Sequence, residues 1–181
     1  QHYYGCGMEE FMYLEKIQSP EDVKKLDVEQ LKVLAGEMRQ ALIQKLSVHG
    51  GHVGPNLGMV EATIAMHYVF DSPKDKMVFD VSHQSYCHKM LTGRADAFLD
   101  EAKYDDVSGY SEPSESAHDF FCIGHTSTSV SLACGLAKAR DLADENYNVI
   151  AVIGDGSLSG GEALEGLDFA KELNGNLIVV V

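Results

Sequence analysis

The sequence lacks the features that define several large classes of protein. No uncharged apolar run approaches the roughly 18 residues of a membrane span, and the N-terminus lacks the basic-then-apolar order of a secretory signal. We therefore expect a cytoplasmic protein with no membrane anchor. Basic residues are scarce too: 14 Lys and Arg face 28 Asp and Glu, a net charge of −14, with no Lys/Arg cluster. Such a chain would repel a phosphate backbone, so we expect no nucleic-acid partner.

The chain also has no tryptophan, only four prolines and only four cysteines. The cysteines are scattered and form no CxxC pair, which argues against a disulfide scaffold and predicts reduced thiols that mostly pack in the interior. What the sequence does contain is a globular composition, since 45% of its 181 residues are hydrophobic. A folded chain of this length buries about 70% of its unfolded surface, so one domain with one sizeable core is expected.

We divide the chain at Met12. Residues 1–11, QHYYGCGMEEF, show no sustained hydrophobic periodicity, and we interpret them as a leader or tag remnant. Residues 12–181 form the domain. The last residue, Val181, lies inside an all-apolar predicted strand that has no exit turn, so we expect the domain to be truncated there.

Hydrophobic periodicity predicts helices and strands along the chain. The strongest unit is the last one, where an apolar strand, a glycine-rich turn, a helix and a second apolar strand follow each other. A right-handed crossover makes these two strands parallel, so the fold class is α/β, a parallel sheet flanked by helices. The predicted helices cover residues 28–47, 59–70, 83–91, from 126 or 127 to 142, and 162–173; the strands cover 77–81, 148–153 and 176–181; residues 95–119 are predicted as loop.

The motif GDG at residues 154–156 follows a buried strand and precedes a helix, for which Ser159 and Glu162 have the spacing of a capping box. Glycines let a ligand approach the backbone, and a helix N-terminus binds anions, so a phosphate group is expected here. The glycine spacing also allows a dinucleotide loop. The Asp155 carboxylate would repel a bare pyrophosphate, whereas Mg²⁺ between them would reverse the repulsion. A lone GDG is more often an ordinary turn with a solvated Asp.

Three histidines stand in turns at predicted element boundaries: His52 in GGHVGPNLG, His83 in DVSHQ and His125 in GHTSTS. Each alone is more often a structural imidazole. Because ligands of α/β sheets bind outside the carboxyl ends of the strands, where such loops collect, the three together predict one polar site. The spacings do not indicate zinc. His2 and His67 are interpreted as structural.

Five ordered motifs resemble a known family: GGHVGPNLGMVEATIAMHYVF, VFDVSHQSYCHKMLTGR, SESAHD, GHTSTSVSLACGLAKARD and VIGDGSLSGGEALEG. Over residues 12–181 the chain resembles the N-terminal domain of the 1-deoxy-D-xylulose-5-phosphate synthases, which belong to the transketolase superfamily. The resemblance implies the thiamine-diphosphate-binding fold, with thiamine diphosphate and Mg²⁺ as cofactors. It also implies a homo-oligomeric transferase that condenses pyruvate with glyceraldehyde 3-phosphate, releasing CO₂, for isoprenoid and thiamine biosynthesis.

The resemblance further implies roles for individual residues. Asp155 ligates Mg²⁺, Gly156 and Ser157 approach the diphosphate, and His52 transfers protons while the carbon–carbon bond forms. The remaining residues that the family pattern places against the cofactor are His83, Gly124, His125 and Thr126. Thr126 stands where Ser is common, a change that keeps the hydroxyl.

Parts of the family pattern lie beyond Val181. They are the Asn that is the second side-chain ligand of Mg²⁺, and the domain with the Glu that activates the aminopyrimidine ring. The 181-residue chain alone is therefore expected to be inactive. Two alternatives stay open: a transketolase-type N-terminal subunit that a partner chain completes, and a non-catalytic remnant of the same fold.

Overall fold

A three-stranded parallel sheet forms the centre of the computed structural model, which describes residues 11–181. The strands are β1 (Lys76–Phe79), β2 (Val149–Val152) and β3 (Ile178–Val180), and β2 lies in the middle. Phe79 pairs with Val152, and Val152 pairs with Val180, so the three strands end at the same level. The predicted α/β class, with a parallel sheet flanked by helices, is confirmed.

The central strand β2 is buried along its whole length, as an apolar strand covered on both faces should be. Val149 and Ala151 face helices α7 (Ser129–Leu142) and α8 (Gly161–Leu173). Ile150 and Val152 point to the other face, where they pack with Met66. Met66 belongs to helix α4 (Val60–Val69), so helices cover both faces of the sheet.

A second apolar core lies under the longest helix, α2 (Val28–His49). Asp27 and Gln30 close a reciprocal capping box at its start, with both hydrogen bonds 2.9 Å long. The predicted helix is confirmed, and it ends two residues later than predicted. Its buried side chains recur at helical spacing and pack against Phe98, Met90 and Leu91; they are Leu34, Met38, Ala41, Leu42 and Leu46.

Short elements connect these two cores. They are α1 (Pro20–Val23), α3 (Gly54–Leu57), α5 (Tyr86–Lys89), a π-type turn over Met90–Arg94, α6 (Asp96–Leu99), and 3-10 turns over Leu14–Lys16, Glu101–Asp106 and Ser157–Ser159. The prediction of a loop with little regular structure over residues 95–119 is thus wrong for its first half. Helix α5 starts at Tyr86 rather than at residue 83. The chain turns just before the predicted start, where Val81 and Ser82 have positive φ angles of 56° and 69°, outside the right-handed helical region.

The predicted capping box of α8 and the predicted start of α7 are also wrong. Helix α8 starts at Gly161 and has Gly160 at its N-cap, so Ser159 and Glu162 form no capping box; Glu162 instead accepts a hydrogen bond from Ser131 Oγ at 2.7 Å. Helix α7 starts at Ser129 rather than at residue 126 or 127, and it has no side-chain cap from its own first residues. Its first amide, Ser129 N, is satisfied from another part of the chain, as described below.

The second half of the predicted loop is anchored by a buried polar network. Arg94 donates to both oxygens of Asp119 at 2.9 Å and to Glu115 at 3.0 Å, and His88 Nε2 lies 3.1 Å from Asp119. His67, interpreted above as structural, is fully buried, with Nε2 2.9 Å from His88 Nδ1. Burial holds the pKa of His67 well below its usual value, so this imidazole is neutral.

Cys87 and Cys134 are buried free thiols, and Cys122 is an exposed one. Cys6, His2 and almost all of the predicted leader lie outside the described residues. Its last residue, Phe11, is described and packs against the core under α2. Across residues 11–181, no helix combines the length and the apolar character needed to cross a bilayer.

Two glycine-to-alanine substitutions should change stability in opposite directions. Gly166 lies where α8 packs on α7, and a Cβ there would lie 3.1 Å from Ser131 N and 3.2 Å from Val130 Cγ1. We expect Gly166→Ala to lower the free energy of unfolding by about 1–3 kcal/mol. Gly36 lies inside α2 with nothing within 4 Å of its Cβ position, so Gly36→Ala should raise it by about 0.5–1 kcal/mol. Urea unfolding of both variants checks the signs, and equal effects would contradict the packing described for α8.

Candidate functional site

A cavity of about 730 Å³ opens at the carboxyl ends of the strands. The loops after β1 and β2 form its floor, and the turn that leads into α4 forms one wall. Its polar lining comes from Asp80, His83, Gln84, Thr126, Asp155 and Ser157, with the backbone of Gly154 and Gly156 between them. This is the edge of a parallel sheet at which α/β proteins bind ligands.

The structure gathers five of the predicted site residues at this cavity. These are His83, Thr126, Asp155, Gly156 and Ser157. Gly124 and His125 are exposed in the loop just before Thr126 and do not line the cavity; His125 Nδ1 lies 3.2 Å from the Thr126 carbonyl. His52 lines a second, smaller cavity of about 260 Å³, together with Tyr86 and the backbone of residues 49–51.

The two cavities meet at a pair of histidines. The rings of His52 and His83 lie 5.1 Å apart between centroids and nearly perpendicular, at 77°. His52 Nδ1 lies 3.3 Å from the Tyr86 hydroxyl, and the Tyr110 ring covers His52 at 5.7 Å. Burial, followed by the neighbouring His52, lowers the pKa of His83, so His83 is a neutral imidazole. His83 in the larger cavity and His52 in the smaller one thus face each other across a ring contact.

Asn56 fixes this pair, and sequence reasoning missed it. Its amide nitrogen donates to the carbonyls of His52, at 2.7 Å, and His83, at 2.8 Å, while its oxygen accepts from Tyr86 N at 3.0 Å. Asn56 is fully buried, so it joins two chain segments by their backbones. The sequence does carry a signal for this role, which is a polar amide in an otherwise apolar helical segment. A buried Asn in such a segment needs hydrogen-bond partners such as these backbone groups.

The turn after β2 leaves room for a ligand. Asp155 is exposed, and its Oδ1 accepts from Gly156 N at 2.8 Å. A Cβ added at Gly154 or Gly156 would meet no atom within 4 Å, and neither residue has a positive φ. The packing of the chain therefore does not itself require glycine at these positions, whereas close approach of a ligand to the backbone would.

The donor atoms fit a diphosphate held through a divalent cation. Asp155 supplies one carboxylate, and no group of three His, Cys, Asp or Glu side chains suited to a metal occurs within residues 11–181. Mg²⁺ commonly binds in this way, through one or two carboxylates together with phosphate oxygens and water. His83 Nδ1 and Gln84 Oε1 are buried at the cavity without a protein partner, so a polar ligand would satisfy them.

The fold and this cavity define an α/β protein with a cavity at the carboxyl ends of a parallel sheet. The sequence profile of the 1-deoxy-D-xylulose-5-phosphate synthases matches residues 14–181. The chain belongs to this family, as the five motifs predict.

Comparisons with individual proteins point to the same family. The 1-deoxy-D-xylulose-5-phosphate synthase of Dictyoglomus turgidum is 53% identical over 170 residues, which are 94% of this chain and 28% of that protein. The synthase of Caldanaerobacter subterraneus is 52% identical over 168 residues, 93% of this chain and 27% of the relative. That of Brevibacillus brevis is 53% identical over 170 residues, with coverage of 94% and 27%. The chain thus spans just over a quarter of the length of these curated relatives.

Substitution of Asn56 should separate the His52 and His83 segments. Asn56→Ala removes three hydrogen bonds and leaves buried backbone groups of His52, His83 and Tyr86 without partners, so the free energy of unfolding should fall by about 2–4 kcal/mol. The matched control is Asn176→Ala, because Asn176 is exposed and donates one 3.2 Å bond to Asn148; it should change stability by less than about 0.5 kcal/mol. Thermal and urea unfolding measure both, and equal losses would contradict the bridging role.

Proposed function

We propose that this chain is the diphosphate-binding part of an enzyme that condenses pyruvate with glyceraldehyde 3-phosphate and releases CO₂. The observation that carries the proposal is the contact between His52 and His83, because His83 lines the cavity that Asp155 also lines and His52 lines the smaller cavity beside it. Family membership supplies the reaction and the roles of the individual residues, and the geometry supports those roles.

Thiamine diphosphate, when bound, supplies a carbon nucleophile that adds to the carbonyl of a 2-oxo acid and accepts the electron pair released by decarboxylation. The tasks left to the protein are binding, orientation and proton transfer. Asp155 holds the Mg²⁺ that neutralises the diphosphate, while Gly156 and Ser157 contact the diphosphate itself. Thr126 and His83 line the remainder of the cofactor site. Gly124 and His125 are assigned to the cofactor site by the family pattern alone, since neither lines the cavity.

His52 is the residue we assign to proton transfer. It is half-buried, its Nδ1 is within reach of the Tyr86 hydroxyl, and its ring contacts His83. This leaves Nε2 of the ring free of the Tyr86 contact and able to give a proton to, or take one from, an oxygen of the reacting sugar. The neutral His83 beside it adds no positive charge that would repel a protonated His52.

The remaining proposals concern the assembly and the location. Leu142, Leu164 and Phe169 are more than half exposed on α7 and α8, and apolar area of this kind supports a homo-oligomer or further chain packed on these helices. Free thiols at Cys87, Cys122 and Cys134 support a reducing, cytoplasmic location.

Asp155→Asn tests the metal site. Asn is nearly isosteric but uncharged, so the turn should survive, while affinity for thiamine diphosphate with Mg²⁺ should fall by about 2 kcal/mol or more, which is over tenfold. This affinity is measured by calorimetric titration of the longest natural polypeptide that contains this chain. Asp168→Asn on α8 is the control for the loss of an exposed charge. A dinucleotide loop would behave oppositely: NADP would bind the wild type, and Asp155→Asn would not weaken it. Unchanged cofactor binding in Asp155→Asn would show that Asp155 holds no metal.

His52→Ala tests the proton-transfer role. In the same full polypeptide, turnover should fall by about 100-fold or more, the range typical of a lost acid–base group, while cofactor affinity changes less than threefold. His49→Ala is the matched control, because His49 lines the same small cavity but is engaged with Asp105 at 2.7 Å. Parallel losses of turnover and cofactor affinity in His52→Ala would assign His52 to cofactor binding instead.

A further inference from the structure

Two side chains tie together the three loops that surround the larger cavity. The Asp80 carboxylate, 1% exposed at the end of β1, accepts hydrogen bonds from Ser127 N and Ser129 N, each 2.9 Å long. Ser127, itself buried, donates from Oγ to the Ser157 carbonyl at 2.7 Å. A continuous path of hydrogen bonds therefore runs from the loop after β1, through the start of α7, to the turn after β2.

The Asp80 carboxylate replaces the local cap that α7 lacks. The first amides of a helix have no partner within the helix, and the partial positive charge of the helix N-terminus favours an anion. A buried carboxylate needs such donors in turn, because an unpaired buried charge is costly. Asp80 meets both needs from a strand that lies 47 residues earlier in the chain than Ser127.

The backbone of Ser127 shows that this path determines the local conformation. Its φ is +70°, in the left-handed region that non-glycine residues adopt only where surrounding contacts impose it. Both its amide and its hydroxyl are held, by Asp80 and by the Ser157 carbonyl. Gly160 leaves the space this requires, since a Cβ there would overlap Ser127 Oγ and lie only 2.7 Å from Ser127 Cβ.

We infer that Asp80 and Ser127 are positioning residues of the cofactor site. Asp80 fixes the position of the turn that carries Thr126. Ser127, through its hydrogen bond to Ser157, fixes the turn that carries Asp155 and Ser157 relative to the first turn, so that both turns face one cavity. The identity of the ligand rests on the function proposed above. The coupling between the loops does not, and it can be measured without any ligand.

A pair of compensating substitutions tests the coupling. Gly160→Ala forces its methyl group into Ser127, whereas Ser127→Gly removes the two side-chain atoms with which it would clash and leaves only the Ser157 carbonyl oxygen at 3.3 Å. In the full polypeptide, we expect Gly160→Ala to accelerate hydrogen exchange of the amides of residues 127, 129 and 158–160 at least tenfold. The double variant Ser127→Gly/Gly160→Ala should exchange no faster than Ser127→Gly alone. Gly161→Ala is the matched control, because its Cβ position has nothing within 4 Å.

A second series separates the hydroxyl from the backbone strain. Ser127→Ala keeps the strained φ and loses only the bond to Ser157, so affinity for thiamine diphosphate with Mg²⁺ should fall about threefold to tenfold. Ser127→Thr retains a hydroxyl and should restore most of that affinity. Asp80→Asn keeps only one acceptor oxygen, so one of the two amides that the wild-type carboxylate holds should lose its protection from hydrogen exchange. Thermal melting of each variant establishes that it is folded.

Additive losses in the Ser127→Gly/Gly160→Ala pair would overturn the inference, and so would equal exchange in Gly160→Ala and Gly161→Ala. If the wild type binds no thiamine diphosphate, the proposed function fails, while the exchange measurements still decide the coupling. If the wild type binds the cofactor but Ser127→Ala binds it equally well, the cofactor assignment stands and the positioning role of Ser127 is wrong.

Discussion

The parallel pairing of β1 with β2 is the constraint on which the rest of the structure depends. Because Phe79 and Val152 are register partners, the segments that follow them leave the sheet side by side. Asp80 and the GDG turn thus become neighbours, although more than 70 residues separate them in the chain. The hydrophobic effect enforces this register, since a shift by one residue would turn the side chains of β2 from the α7/α8 face to the α4 face.

The site is assembled from backbone contacts on this frame. Asn56 joins the His52 and His83 segments by their carbonyls, and Asp80 holds the turn before α7 by its amides. In both cases a buried polar side chain satisfies backbone groups that neither sheet nor helix can satisfy. Buried groups of this kind have few alternative partners, so the loops have few alternative arrangements. A rigid arrangement lets a cofactor bind without first ordering its own site.

The sequence predicted the features whose causes are local. Apolar spacing located α2 and the buried strand β2, and turn residues located the GDG motif and the loops of His52 and His83. The failures have non-local causes. Asn56 and Asp80 follow no period and, apart from the bond of Asn56 to His52, act on partners 27 to 49 residues away. The Ser159–Glu162 capping box has the right spacing, but the 3-10 turn over Ser157–Ser159 shifts the start of α8 to Gly161, and Glu162 pairs with Ser131 on α7 instead.

The distribution of charge supports the proposal that an anionic ligand binds in this cavity through a cation. The chain carries a net charge of −14, and no Lys or Arg lines the 730 Å³ cavity. Buried Lys89 and half-buried Arg94 are engaged with Glu115 and Asp119. Backbone amides offer only partial charges, too little to offset a diphosphate beside the Asp155 carboxylate. A divalent cation would change Asp155 from a source of repulsion into a ligand, and this supports the proposal that a carboxylate and a phosphate share the cavity.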